Sequence, residues 1–203
     1  MYAIAGKCTF VTDKNKQNDN AIEPAYFCEM IILHAVQKLL NTSRLQPAMY
    51  ISAPSENQYL HSWYAKLVST GFTGKQLVMY IHEPSLLLVL TRGKTINTTL
   101  PSFYSRLPQL LHRNGFKQEF IEQEMPLVQE GYIISKTNSR RMLGSMDAIT
   151  ENIEYSCRIV PSYELINLDR IEDSYLDWLT REASTHKYVR TKDYWIKKGV
   201  VKG

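Results

Sequence analysis

From Met30 onward the chain alternates short apolar runs with polar, turn-forming stretches, and the length and period of each run assign it to a strand or a helix. MIILHAV (30–36) is apolar except for His34 and reads as a buried strand running into the helical QKLLNTS. AMYIS (48–52), bounded by Pro47 and Pro54, reads as a second short strand. Ser55 is placed to open a helix through YLHSWYAKLVST, where Leu60, Trp63, Tyr64 and Leu67 recur at helical spacing and Gly71 and Gly74 follow as stops.

KQLVMYIHEPSLLLVLTRG carries the clearest hairpin signal, two β-forming runs around Glu83-Pro84-Ser85. Leu86 to Leu90 is apolar at every position, which predicts a strand covered on both faces and central in a sheet. Thr98 or Thr99 is expected to cap a helix through PSFYSRLPQLLHRNG, with Pro101 in its first turn and Pro108 as a kink or break. KQEFIEQEMPLV predicts a helix stopped near Pro126, with Glu119, Glu122 and Glu124 on a solvated face, and GYIISKT a returning strand. Between Asn138 and Tyr155, Met142, Met146, Ile149 and Ile153 fall on one helical stripe that belongs to a core. Beyond Pro161, an acidic run opens a short helix through Tyr175, Trp178 and Leu179.

Strands and helices without a regular βαβ rhythm predict an α+β fold: a mixed, mainly antiparallel sheet with a central hairpin and packed helices, in a single domain. Polar DKNKQNDN (13–20) sets the start of the chain apart. The expected organisation is an N-terminal extension (1–29), a core (30–157) and a C-terminal appendage (158–203).

With 203 residues, 44% of them hydrophobic, the chain can bury one sizeable core. No apolar run approaches the roughly 18 residues of a membrane helix, and the N-terminus lacks the apolar run of about 7 to 15 residues of a signal peptide. A cytoplasmic protein without membrane contact is expected. Cys8, Cys28 and Cys157 are widely spaced with no C-x-x-C, which fits free thiols in a reducing compartment and neither disulfides nor a zinc knuckle.

The formal net charge of +4 is concentrated at one end. The last eighteen residues hold six Lys or Arg against one Asp, so the remainder is close to neutral. Cations interleaved with aromatic rings suit an anionic, base-bearing partner. Lys187, Tyr188, Arg190, Lys192, Tyr194, Trp195, Lys197 and Lys198 are therefore candidate nucleic-acid contacts. The same aromatics also fit a tail that docks on the domain by burying rings while its lysines face water.

Four segments, MIILHAVQKLL, SWYAKL (62–67), QLVMYIHEPSLLLVL and NSRRMLGSMDAI (138–149), together resemble an uncharacterised bacterial family, a domain of unknown function. The resemblance covers about Met30 to Tyr155. Family members begin at the position of Met30, which implies that residues 1–29 are an extension or the product of an upstream start. The family's last segment reads Asn, Arg, L-G-S-M, then Asn, whereas Asp147 stands in the final place here. The family supplies no activity or substrate.

Asn138-Ser139-Arg140-Arg141 leading into Leu143-Gly144-Ser145-Met146 is the sharpest candidate for chemistry. Asn138 or Ser139 is a good N-cap, which puts Arg140 and Arg141 in the first helical turn, where cations oppose the helix dipole. Compensation would come from carboxylates on adjacent elements or from a bound anion held by free N–H groups and bidentate guanidinium groups. Asn138, Ser139, Arg140, Arg141 and Ser145 are thus candidate anion-binding residues, and Gly144 permits close approach of a neighbouring helix, strand or ligand. The spacing is not a Walker loop, and Ser145 lacks the G-x-S-x-G context of an esterase nucleophile.

His34, His61, His82 and His112 show no ligand spacing. A metal site would need the fold to gather His34, His61 and His82 with Glu83. No cofactor, no metal and no catalytic residue follows from the sequence. The expected function is a bacterial or phage-borne binding or regulatory module whose basic tail contacts nucleic acid or an acidic protein. The alternative is an enzyme or sensor that binds a phosphorylated or carboxylated small molecule at the start of the 139–155 helix.

Overall fold

The structure, a computed structural model, describes residues 30–48, 58–181 and 188–201. AMYIS (48–52) and the extension 1–29 lie outside the described residues except for Ala48, whose N–H bonds the Ile134 carbonyl at 2.9 Å.

MIILHAV supplies β1 (Ile31–Ala35), buried at every position, and the chain turns at Val36 into α1 (Gln37–Ser43). β1 lies second from one edge of a five-stranded mixed sheet. It pairs in parallel with β2 (Ser62–Ser69), which continues through antiparallel neighbours β3 (Gln76–His82) and β4 (Leu88–Arg92). α2 (Ile96–Arg113) and α3 (Gln118–Glu130) then carry the chain back to β5 (Tyr132–Lys136), parallel to β1 on its other side. The hairpin forms as expected from its two apolar runs. β4 is covered on both faces but stands at the sheet margin, not at its centre.

The segment SWYAKLVS is β2, not part of a helix. Lying between β1 and β3, it is buried on both faces, with Trp63, Ala65 and Leu67 in one core and Tyr64 and Val68 in the other. A strand buried on both sides has no polar alternation, so its apolar residues meet a helical template by coincidence.

α2 begins earlier than expected, because Thr95 is the cap and accepts the Thr98 N–H at 3.3 Å. Neither Pro101 nor Pro108 breaks it, and α3 likewise runs past Pro126 to Glu130. The carbonyls freed by these prolines belong to Asn97, Tyr104 and Glu122, none of which is fully buried, so water can satisfy them. Glu124, expected on a solvated face, is instead buried and accepts the N–H groups of Tyr59 and Leu60, at 2.8 Å for Leu60. Burial pushes its carboxyl up, against the pull of those donors.

α1, α2 and α3 cover one face of the sheet. α4 (Arg140–Arg158) covers β2, β3 and β4 on the other face with the predicted stripe Met142, Met146, Ile149 and Ile153. The C-terminal segment contributes to both cores. α5 (Leu168–Ser174) places Leu168 beside Ile166 and Tyr175 on the α4 side. After the hairpin β6 (Leu179–Arg181) and β7 (Tyr188–Arg190), α6 (Thr191–Lys197) buries Trp195 in the opposite core with Val201. The whole is an α+β fold in a single domain. Among the described residues, no helix is long and apolar enough to cross a membrane.

Candidate ligand-binding crevice

Two neighbouring parallel strands, β1 and β5, send their following helices to opposite faces: α1 packs on the α2 side, α4 on the other. In sheets with parallel strands, divergence of this kind marks the place beyond the carboxyl ends of the strands where a ligand crevice is expected. The polar side chains that interrupt otherwise apolar strands cluster there.

His34, near the end of β1, stacks on Tyr64 of β2 with ring centroids 4.6 Å apart. Its Nδ1 lies 3.1 Å from the Lys136 carbonyl at the end of β5. A carbonyl only accepts, so Nδ1 carries the proton and the neutral ring presents Nε2 as an acceptor. Burial lowers the pKa of His34, partly offset by the Lys136 carbonyl and by the charge of Glu83, which holds the ring neutral at pH 7. Nε2 has no hydrogen-bond partner among the described residues.

The Tyr64 hydroxyl donates to Asn138 Oδ1 at 2.5 Å and lies near Ser139 and Glu83. Burial, then the charge of Glu83, pushes this phenol up to about 12, so it stays protonated. Glu83 also accepts from Ser62 Oγ at 3.4 Å. Tyr64 and His34 thereby clamp the short connection between β5 and α4 from the sheet side.

Ser139 caps α4 as the sequence predicts, its hydroxyl accepting the Met142 N–H at 3.2 Å. The N–H groups of Arg140 and Arg141 have no acceptor among the described residues, and the first turn contains no acid. Both guanidinium groups are exposed, with no carboxylate within ion-pair distance among the described residues. Among the described residues no ion pair accounts for these two arginines. Gly144 is exposed, and a Cβ there would meet nothing within 4 Å, so no helix or strand packs against it. Ser145 is half-buried about one turn beyond Arg141, outside the first turn. Asp147 pairs with Lys66 of β2 at 2.6 Å, a contact that uses the carboxylate standing at this position.

The remaining candidates sit elsewhere. His82 faces the opposite core from His34, its Nε2 donating to the Tyr59 carbonyl and its Nδ1 bonded to Ser85 Oγ, both at 2.7 Å. The fold therefore does not gather His34 and His82, and among the described residues no group of three or more His, Cys, Asp or Glu is placed to hold a metal ion. Trp195 is fully buried against His82, Phe116 and Phe120, so its ring anchors α6 and offers no face for base stacking. Tyr194 is half-buried edge-on to Trp195, under the Lys198 ammonium, which also lies over Tyr59. Arg190 is paired with Asp193 at 2.9 Å, while Lys192 is half-buried and Lys197 exposed. Lys187 and the side chain of Tyr188 lie outside the described residues.

The sequence singles out Arg140 and Arg141, and His34 and Glu83 as members of a metal site that the fold does not assemble, whereas the helix-like spacing around Tyr64 hides it. The signal that could have found the rest is the polar residue inside an apolar strand: His34, Ser62 and Ser135 each interrupt such a run on the crevice side.

No curated protein shows a match to this chain. A family profile, described as a domain of unknown function (DUF6933), matches residues 32–194. That span begins at the second residue of β1, takes in the other four strands of the sheet and continues through α5, β6 and β7 into α6 as far as Tyr194. Matched over most of its length, the chain belongs to the DUF6933 family.

Proposed function

We propose that this domain binds a small molecule through a phosphate or carboxylate group held beside the crevice between β1 and β5. The observation that carries the reading is that Arg140 and Arg141 have no ion-pair partner among the described residues: two exposed guanidinium groups in the first turn of a nineteen-residue helix, with no acid in that turn and backbone N–H groups beside them that have no acceptor among those residues. Cations at that end oppose the helix dipole, and a bound anion removes the conflict while using both the arginines and the free donors. Tyr64 and Asn138 hold the connection that positions them.

Isothermal titration with inorganic phosphate tests this. Arg140→Ala and Arg141→Ala should each weaken binding about tenfold, the worth of a charge-assisted hydrogen bond, and leave Tm nearly unchanged. Absence of phosphate binding, or binding indifferent to both substitutions, would remove the reading.

Contact with nucleic acid or an acidic protein through the tail is a second reading, supported by the exposed, adjacent Lys197 and Lys198. It rests on charge, since Trp195 is enclosed. It predicts affinity that falls steeply with salt and is lost in Lys197→Glu/Lys198→Glu.

A further inference from the structure

Resting on the anion-binding reading, a finer selectivity follows from His34. This residue is only 6% exposed, its orientation is fixed by the Tyr64 stack, and its tautomer by the Lys136 carbonyl. The Tyr64 ring on which His34 stacks carries the hydroxyl bonded to Asn138, so the imidazole lies one ring removed from the residues that open α4. Its Nε2 lone pair has no partner among the described residues. Nε2 is not among the enclosed polar atoms, so this lone pair is open to a donor from outside the protein.

The groups around the ring are Tyr64 on β2, Glu83 in the β3–β4 turn, and Ser135 and Lys136 on β5. Tyr64 has its proton engaged with Asn138, and Ser135 donates its hydroxyl proton to the Lys136 carbonyl at 3.0 Å. Glu83 is the charged group next to Tyr64, and it repels a fully deprotonated anion while accepting from one that keeps a proton. The crevice therefore combines donors and cations on the α4 side with acceptors, His34 Nε2 and Glu83, on the sheet side.

We infer that the site selects oxyanions of the phosphate class that still carry a proton, hydrogen phosphate or a phosphomonoester monoanion, over sulfate, with His34 Nε2 accepting the ligand's O–H. Sulfate has nearly the same size and shape but no proton to give at neutral pH. Binding it leaves Nε2 facing an oxygen lone pair, and a site built to receive a hydrogen bond rejects the analogue that lacks the donor.

Inorganic phosphate, methyl phosphate and sulfate are titrated calorimetrically into the full chain at pH 6.5, and the imidazole nitrogens are followed by long-range proton–nitrogen NMR. One phosphate probe or both should bind at least about tenfold more tightly than sulfate. The Nε2 resonance of His34 should move with phosphate and stay in place with sulfate. His34→Phe, which keeps a ring on Tyr64, should bring phosphate and sulfate affinities within about twofold of each other. Equal affinity for phosphate and sulfate in the unmodified protein, or a preference that survives His34→Phe, overturns the selectivity and leaves the anion site standing. If neither anion binds, the site itself and the selectivity fall together. Should His34→Phe not fold, the NMR response of the unmodified protein decides the matter alone.

Discussion

Tyr64 and Asn138, 74 positions apart in the chain, are joined by a hydrogen bond of 2.5 Å from the phenol of a central strand to the amide two residues before α4. This bond fixes where the helix starts relative to the sheet, and so where Arg140 and Arg141 stand. Tyr64→Phe removes the hydroxyl while keeping the ring that stacks on His34. It should cost about 1 kcal/mol of stability in urea unfolding, the usual worth of one side-chain hydrogen bond, and weaken phosphate binding by more than that loss explains. Unaltered phosphate affinity would separate the Tyr64 bond from the site.

Glu172 does for the sheet margin what a neighbouring strand does elsewhere. Its side chain is fully buried; one oxygen accepts the Leu90 N–H of β4 at 2.7 Å, while Arg106 and Arg113 of α2 approach to 2.9 and 2.5 Å. Edge N–H groups are otherwise open to pairing with other chains. Glu172→Ala should destabilise the domain by about 1–3 kcal/mol, since it leaves the Leu90 N–H without its acceptor and takes from Arg106 and Arg113 their buried carboxylate partner, Asp169 and Asp173 remaining to them. Glu172→Gln, which keeps an acceptor for Leu90, should cost less. Equilibrium denaturation of the two variants side by side checks the order.

Legibility in the sequence followed burial. Met142, Met146, Ile149 and Ile153 were readable because α4 is buried on one side only, which imposes a helical period. β2 was misread because burial on both sides erases any period, and Glu124 because the distant backbone groups that hold it leave no local trace. Arg140 and Arg141 could be singled out from a local rule about helix ends. The crevice could not, because it arises from strand order: β1 and β5 are a hundred residues apart, and only their adjacency brings His34 to the Lys136 carbonyl.

Trp195 separates docking from stacking. A ring that recognises bases sits in solvent until its partner arrives, whereas Trp195 lies between His82, Phe116 and Phe120 in the larger core. Trp195→Ala should therefore destabilise the free protein by about 3–5 kcal/mol, as expected for an emptied core position. A variant with unchanged thermal unfolding would mean that α6 is not held by this ring.

The opposite core also sets a limit on acid stability. His82 is fully buried, its Nε2–H engaged by the Tyr59 carbonyl and its Nδ1 by Ser85, and burial pushes its pKa down to about 3. The unfolded chain takes up this proton near pH 6.5, while the folded protein resists it until about pH 3. Between those values the unfolded state binds more protons, so stability falls as pH falls, by about 1.4 kcal/mol per unit from this residue. His34 is shifted in the same direction and steepens the fall. In His82→Gln the amide can donate to the Tyr59 carbonyl and accept from Ser85 without titrating. Urea unfolding from pH 7 to pH 4 should then show a slope shallower by about one proton, even if the variant starts from lower stability at pH 7. An unchanged slope would mean that His82 is protonated in the folded protein, and a charged imidazole between Trp63 and Trp195 would require that core to open.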